Sequence, residues 1–240
     1  MSQKVLCIVG LACILGTVRG GEAPAVDKKP VCLLTGFEPF GGLKRNISWE
    51  TVKAFNGQEL AGYRLAAEQL PVVYDQAGER LAEAIKKHRP ALVISFGVGT
   101  RTVTIEATAR NGYNAAEPLD NAGKPPPRKE ILPGGKAELA TGLPMEKLLA
   151  ALQKAGIGAK VSQDAGGYLC NECFYRLMAQ EIKDWAANLK VRGFVHLPEE
   201  GLPDPAGGRY DAEKLRRAVR IIVETAAGEV GRGLESESQR

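Results

Sequence analysis

Short apolar runs alternate along this chain with amphipathic helical patterns. Residues 31–35 and 91–97 are almost continuously apolar, as expected for strands that are buried on both faces. Between them, residues 75–88 carry their apolar side chains at helical spacing. Strands that alternate with helices form sheets covered by helices on both faces. The sequence therefore predicts an α/β fold: a single three-layer α/β/α domain with a mostly parallel, mixed central sheet.

The same patterns predict the other elements. Strands are expected at 31–35, 64–70, 91–97, 102–109, 159–162 and 192–196, and helices at 48–56 with Ser48 as N-cap, 75–88, 145–154, 168–187 and 211–227. Residues 111–135 are polar and rich in proline and glycine, and loops of that length are usually functional or disordered. In open sheets of this kind ligands bind beyond the carboxyl ends of the strands, where we expect the site.

Composition limits the number of domains and the kind of partner. The 240 residues, 44% hydrophobic and 25% charged, suit one domain with a sizeable core, which we place at 26–230. The formal charge of +4 is spread along the chain without a basic cluster among aromatic residues, which argues against nucleic-acid binding. Residues 231–240 are expected to form a flexible tail.

Residues 1–25 predict a secretory signal peptide. Lys4 precedes an apolar run at 5–16 that is too short to span a bilayer and is followed by small residues. Cleavage would leave no stable membrane anchor and would export the protein to a bacterial-type periplasm or to the medium. An uncleaved apolar N-terminus is the alternative.

Three of the five cysteines lie in the predicted domain: Cys32, Cys170 and Cys173. An odd number does not suggest a disulfide framework. Cys170 follows a glycine-rich turn and opens a predicted helix. The peptide dipoles and unpaired N–H groups at a helix N-terminus favour thiolate over thiol, and the thiolate is the nucleophile. The sequence therefore predicts a reactive Cys170.

The segment 157–171 resembles the cysteine signature of the pyroglutamyl peptidases (pyrrolidone-carboxylate peptidases). The matching residues are Ser162, Ala165, Gly166, Tyr168, Cys170 and Asn171. The resemblance extends over about 31–228. It implies a cysteine peptidase that removes an N-terminal pyroglutamyl residue from peptides through an acyl-enzyme on Cys170, without a cofactor or a metal.

A cysteine nucleophile needs a base, and the chain has only His88 and His196. His88 ends a predicted helix, where a cation suits the helix dipole, and is expected to be structural or solvated. His196 ends a predicted strand, and a hydrogen-bonded strand-end histidine is its plainer interpretation. However, residues 193–198 are similar to the family's histidine block, which implies that His196 is the general base and then the general acid.

Glu106 is the one carboxylate in the otherwise uncharged predicted strand at 102–109. A strand glutamate most often faces solvent. Its surroundings resemble the family's glutamate signature, with Thr104, Ala109 and Asn111 in the matching places. This resemblance implies that Glu106 is the third catalytic residue and orients His196.

Two departures from the family pattern flank Glu106. Ala107 stands where the family usually has a basic residue, and the 97–106 loop is about two residues shorter. Both concern substrate affinity more than the catalytic triad.

Residues 35–42 together with Asn46 resemble the family's opening motif, which implies that Phe37 and Phe40 wall the substrate pocket. We include Asn46 in this predicted substrate site. A neutral five-membered lactam needs apolar faces for its ring and one or two hydrogen bonds for its amide edge. The alternative is that both phenylalanines only pack a tight turn. Residues 118–123 are similar to a further family element, a proline followed by Asp-Asn-x-Gly.

Other functions stay open. A Cys170-x-x-Cys173 pair at a helix start is also the layout of thiol–disulfide oxidoreductases, and a disulfide between the two would silence the nucleophile. A family member with altered substrate preference or lost turnover is a third interpretation. Zinc is not expected, because one C-x-x-C lacks a second ligand pair. The sequence leaves the oligomeric state open, a homo-oligomer included.

Overall fold

The computed structural model describes residues 29–179, 189 and 191–238, with side chains as far as residue 230. Its strands are β1 Val31–Phe37, β2 Glu59–Leu60, β3 Tyr63–Leu70, β4 Leu92–Thr100, β5 Val103–Glu106, β6 Thr108–Arg110, β7 Glu138–Ala140, β8 Ala159–Ser162 and β9 Val191–Pro198. Its helices are α1 Ile47–Val52, α2 Gln76–His88, α3 Met145–Lys154, α4 Leu169–Ala179 and α5 Ala212–Ser238.

The central sheet has seven strands in the order β2-β3-β1-β4-β9-β5-β8. Strands β3, β1, β4 and β9 run parallel to one another, and β5 runs parallel to β8. The β5–β9 and β2–β3 pairs are antiparallel. The sheet is therefore mostly parallel and mixed, which confirms the predicted fold class.

Helices cover both faces of the sheet, and successive strand residues point to opposite faces. Leu33, Val93 and Phe194 pack with α2 and α4 in one apolar cluster. Their chain neighbours, for example Ile94 and Val195, pack with α1, α3 and α5 in the other. Because the central strands are buried on both faces, their sequences read as continuous apolar runs rather than as alternating ones.

The chain leaves the central sheet directly after Glu106. The predicted strand at 102–109 is divided: β5 ends at Glu106, and β6 pairs antiparallel with β7 in a separate two-stranded sheet. At the division, the N–H of Ala107 donates to the carbonyl of Ser162 at 2.7 Å. The carbonyl of Ala107 accepts from the N–H of Thr141 at 2.8 Å. Apolar patterning could not show this change of sheet, because both halves are largely buried.

The N-cap prediction for α1 was wrong. Asn46, not Ser48, is the N-cap, and its Oδ1 accepts from the Ser48 N–H at 3.0 Å and from the Ser48 hydroxyl at 2.8 Å. Helix α1 ends at Val52 and is followed by a 3₁₀ turn, Lys53–Phe55. Asparagine and serine are both good caps, and two such residues only two positions apart cannot be ranked from sequence.

The ends of the chain bear on three further predictions. Helix α5 continues to Ser238 rather than ending near residue 227, so 231–238 are helical; the flexibility of 231–240 stays a prediction. The proposed signal at 1–25 and the second part of the predicted helix at 168–187 lie outside the described residues. Among the residues described, no helix has the length and apolar character needed to cross a membrane.

Candidate active site

Glu106 and His196 meet across the antiparallel pair formed by β5 and β9. The register places Thr104 opposite His196 and Glu106 opposite Phe194, so all four side chains lie on the same face. The Nδ1 atom of His196 lies 2.8 Å from Oε1 of Glu106. Glu106 is buried, and its Oε2 has no hydrogen-bond partner among the described residues. The carboxylate is thus directed at the imidazole rather than at solvent.

Cys170 approaches the imidazole from the start of α4. Burial by itself would lower the pKa of His196. The charge and the hydrogen bond of Cys170, together with those of Glu106, outweigh burial and raise the pKa of His196 to about 10. The direction of this shift favours the protonated form of the His196 imidazole. The structure thus brings the three residues predicted to form the triad together: Glu106 is hydrogen-bonded to His196, and the Cys170 sulfur lies beside the imidazole.

The first turn of α4 presents unpaired backbone N–H groups beside the sulfur. The first N–H to enter the helical pattern is that of Glu172, which donates to the carbonyl of Tyr168. Within the described part of the chain, the N–H groups of Leu169, Cys170 and Asn171 donate to no protein acceptor. Leu169 and Cys170 also line the adjacent cleft. Donors in this position can stabilise an oxyanion that forms next to Cys170.

Asn171 ties the nucleophile helix to the chain that follows Glu106. Its Oδ1 accepts from the N–H of Arg110 at 2.9 Å, and its Nδ2 donates to the carbonyls of Arg110 at 2.9 Å and Gly112 at 3.0 Å. Asn171 is buried. In the sequence Asn171 matches only the cysteine signature, and nothing local to it shows that it bridges two elements.

A cleft of about 370 Å³ opens beside Cys170 and His196. The three residues predicted to bind substrate, Phe37, Phe40 and Asn46, all line it. Phe37 is buried and its ring centroid lies 6.4 Å from that of Phe194. Phe40 is partly exposed and packs on Tyr168 at 6.3 Å between centroids. The cleft is mainly apolar and has the size of a small-ligand site.

The amide of Asn46 is already used within the protein. Besides capping α1 through Oδ1, it donates from Nδ2 to the carbonyl of Glu38 at 3.0 Å. Asn46 therefore shapes the loop that carries Phe37 and Phe40. A direct contact between Asn46 and substrate stays a prediction.

The segment at 118–123 anchors the long loop, residues 111–135, to the loop that carries Phe37 and Phe40. Asn121 donates from Nδ2 to Oε1 of Glu38 at 2.8 Å and to the carbonyl of Pro39 at 2.9 Å. Asp120 is buried and accepts from the N–H of Tyr74 at 3.1 Å. Both residues fall in the Asp-Asn element noted in the sequence, but their role in joining two cleft-lining loops was not foreseen.

The two departures from the family pattern lie near this cleft. Val98, Gly99 and Thr100, the last residues of β4 within the shortened 97–106 segment, line it. Ala107 is buried at the point where the chain leaves the central sheet. Their effect on substrate preference stays a prediction.

Two other candidate groups lie outside the triad. Nε2 of His88 lies 2.6 Å from Oε1 of Glu68 in β3, consistent with its expected structural role. Cys173 is fully buried against the sheet, and burial raises its pKa well above the ordinary value, so it stays a thiol. Cys32, Cys170 and Cys173 are all free. In the described ranges no three His, Cys, Asp or Glu side chains group as metal ligands would.

The chain is similar to proteins of known activity. Residues 30–229 match the family described as Pyroglutamyl peptidase. A pyrrolidone-carboxylate peptidase of Bacillus amyloliquefaciens is 39% identical over 200 residues, covering 81% of this chain and 91% of the relative. The crystal structure of pyroglutamyl peptidase I from Bacillus amyloliquefaciens superimposes with a TM-score of 0.75 at 36% identity, covering 83% of this chain and 95% of that one. A mutant pyrrolidone carboxyl peptidase from P. furiosus gives the same TM-score at 29% identity, with coverage of 83% and 99%.

Proposed function

This chain belongs to the pyroglutamyl peptidase family of cysteine peptidases, and we propose that it hydrolyses the bond after an N-terminal pyroglutamyl residue of a peptide with Cys170 as the nucleophile. The observation that carries the assignment of roles is the contact sequence Cys170, His196, Glu106 at the edge of an apolar cleft. Removal of a blocked N-terminal residue makes the enzyme an omega peptidase. The term aminopeptidase fits only loosely, because a pyroglutamyl residue has no free amine.

In the first half of the reaction, the Cys170 sulfur attacks the carbonyl carbon of the pyroglutamyl residue. A C–S bond forms, and the electron pair of the carbonyl moves to its oxygen. The N–H groups at the start of α4 stabilise that oxyanion, and one such donor is typically worth roughly 3–4 kcal/mol of barrier. As the intermediate collapses, the C–N bond breaks and His196 gives its proton to the departing amine.

In the second half, a water molecule attacks the thioester of the acyl-enzyme. His196, now neutral, takes a proton from the water, and the C–S bond breaks to release pyroglutamate and the Cys170 thiolate. Glu106 keeps Nδ1 of His196 engaged, so Nε2 is the nitrogen that exchanges protons with substrate. The starting imidazolium and thiolate are restored.

The apolar lining of the cleft supports a neutral substrate ring. Phe37 and Phe40 offer aromatic faces, and backbone groups around Cys170 offer hydrogen bonds to an amide edge. Among the residues that line this cleft there is no Lys or Arg, but the carboxyl groups of Glu117 and Asp164 do line it. The expected preference for a lactam over a charged N-terminal amine therefore rests on the two aromatic walls, Phe37 and Phe40.

Hydrolysis of a chromogenic pyroglutamyl amide tests this proposal. We expect cleavage by the wild-type protein, loss of at least 10³-fold in kcat for Cys170→Ser, and near wild-type activity for Cys173→Ala as a matched cysteine control. A prolyl amide, which keeps the ring but carries a charged amine instead of the lactam, should be a poor substrate. Full activity in Cys170→Ser would overturn the assignment, and wild-type inactivity toward every pyroglutamyl amide would indicate lost turnover.

The same assays separate the peptidase from a redox protein. Cys173 is buried in the core beneath Cys170, and no observation in the structure favours thiol–disulfide exchange. If a Cys170–Cys173 disulfide regulated the enzyme, wild-type activity would rise on adding reductant, whereas that of Cys173→Ala would not. We expect equal responses from the two proteins.

Export is a further part of the proposal and depends on residues 1–25 alone. The basic residue followed by a short apolar run supports secretion to a periplasm or to the medium. Expression of the full chain in a bacterium, followed by cell fractionation and mass analysis, tests it. A protein retained in the cytoplasm with residues 1–25 intact would contradict export.

A further inference from the structure

Gly97 lies at the point where the nucleophile and its base meet. It occupies β4 directly opposite His196 in β9, in a parallel register. Neighbouring odd-numbered residues of β4, such as Val93, point to the face of the sheet that carries α4. A side chain at Gly97 would therefore point into the space between Cys170 and His196.

That space is too small for even a methyl group. A Cβ atom built on Gly97 would lie 2.8 Å from Sγ of Cys170, 2.9 Å from Cζ of Phe194 and 3.0 Å from Cδ2 of His196. Non-bonded carbon atoms pack at about 3.5–4.0 Å, and sulfur needs at least as much room. Two of the three displaced groups are the reacting side chains themselves.

The neighbours of this space cannot all move aside. His196 is hydrogen-bonded to Glu106 on its other edge, and the Phe194 ring is packed between Phe37 and Phe174. Cys170 is partly exposed to the cleft, so its sulfur is the group that can be displaced. A methyl group at position 97 would push it away from the imidazole.

The backbone does not require glycine here. Gly97 is a strand residue outside the set of glycines with positive φ, whereas nearby Gly99 has a φ of 135° and open space where a Cβ atom would lie. Glycine at position 99 allows a backbone conformation with positive φ, whereas glycine at position 97 allows other side chains to pack where its own side chain would lie.

We propose that Gly97 is a positioning residue: the absence of a side chain at this place allows the Cys170 sulfur and the His196 imidazole to approach each other. This inference rests on the proposed function, in which that contact activates the nucleophile. Gly97 itself does not line the cleft, so it acts on the chemical step rather than on substrate binding.

The principal test is Gly97→Ala. We expect kcat for the pyroglutamyl amide to fall about 10²-fold, the loss typical of displacing a reacting group by about 1 Å, with KM within about threefold of wild type. The rate of iodoacetamide alkylation at Cys170, followed by mass analysis of the peptide that contains it, should fall at neutral pH and recover only at higher pH. A kcat within twofold of wild type would refute the proposal.

Gly193→Ala is the matched control. Gly193 lies in β9, and a Cβ atom built on it would point to the face of the sheet opposite the triad. There it would lie 2.4 Å from Oγ1 of Thr141 and 2.6 Å from Cγ of Leu143. Gly193→Ala therefore crowds the same sheet as severely as Gly97→Ala does, but away from the triad. We expect a lowered melting temperature with the pH dependence of Cys170 alkylation unchanged. The same alkylation profile in both variants would show that Gly97 has a merely structural role.

A double-mutant cycle covers the case in which Gly97→Ala folds poorly. Cys170→Ala removes the sulfur, so Gly97→Ala should shift the urea midpoint less in that background than in the wild type. Equal shifts would contradict displacement of the sulfur. The alkylation and folding measurements need no substrate. They therefore test the positioning role even if the wild-type protein cleaves no pyroglutamyl amide, which would defeat only the proposed function.

Discussion

The side chain of Asn171 accepts a hydrogen bond from the backbone N–H of Arg110 and donates one to the backbone carbonyl of Arg110, each at 2.9 Å. Arg110 lies four residues beyond Glu106. Asn171 follows the nucleophile directly. One side chain therefore links the helix of Cys170 to the segment that continues from Glu106. The triad residues come from an α-helix and two antiparallel strands, and this link, together with the β5–β9 pairing, keeps the three elements in register.

Asn171→Ala should lower both stability and activity. The substitution leaves the N–H and carbonyl of Arg110 without their partner, and each unsatisfied buried group costs about 1–3 kcal/mol. We expect an earlier urea unfolding midpoint and a reduced kcat, because α4 is released from the Glu106 segment. Asn114→Ala is the control: Asn114 is exposed, and its side chain accepts a single bond from the Ala116 N–H. Equal effects of the two substitutions would argue against the bridging role.

Glu106→Gln should reduce kcat/KM by roughly 10²–10⁴-fold with little change in fold, because the amide keeps the shape of the carboxylate but not the charge that holds an imidazolium. The pKa of His196 should fall, since Glu106 is one of the groups that raise it. The remaining activity should therefore decline at a lower pH on the alkaline side than in wild type. Glu224 is exposed on α5, and Glu224→Gln should change neither kcat/KM nor the pKa of His196. If the activity of Glu106→Gln declined at the same alkaline pH as that of the wild type, Glu106 would not be coupled to the pKa of His196.

The pKa of His196 should depend on the charge of Cys170. In the wild type it is raised to about 10, so the imidazolium persists through neutral pH and loses its proton only as the pH approaches that value. Activity should fall in the same range, because the departing amine then has no proton donor. Cys170→Ala removes one negative neighbour and should lower the pKa. An NMR titration of the imidazole protons measures this directly, with His88 as internal reference. A titration of His196 unaltered by the substitution would exclude the charge pair.

The two phenylalanines of the cleft should respond differently to truncation. Phe40→Ala should raise KM for a pyroglutamyl amide about tenfold or more and leave most of the stability intact, since Phe40 is partly exposed. Phe37→Ala should also cost about 3–5 kcal/mol of stability, because the Phe37 ring is buried against Phe194. Michaelis kinetics and urea unfolding separate the two effects. An unchanged KM in both variants would remove these rings from the substrate site.

Local patterns in the sequence were sufficient for much of the architecture. The apolar runs at 31–35 and 91–97 correspond to β1 and β4, and the helical spacing at 75–88 corresponds to α2. These predictions hold because burial of a strand or of one helix face leaves a periodic signature in the chain itself. The triad was predicted from residue chemistry and family resemblance; the structure brings the three side chains together, and their catalytic roles stay a prediction.

Long-range pairing could not be read in this way. Nothing local to 102–109 shows that β5 runs against β9 or that the chain changes sheet at Ala107. Nor could the sequence show that Asn46 caps α1 or that Asn121 joins two loops of the cleft. The contacts of Asn121 depend on partners distant along the chain, whereas the cap of α1 is a choice between two good capping residues that local sequence does not rank.

The sequence by itself determined most of the helices and central strands and which side chains can do chemistry, since apolar periodicity and side-chain identity belong to each segment alone. Only the tertiary structure decided how those side chains meet. The antiparallel register puts Glu106 beside His196, and the bare backbone of Gly97 leaves room for Cys170. Such distances are set by packing between strands and helices that are far apart in the chain, and no single segment encodes them.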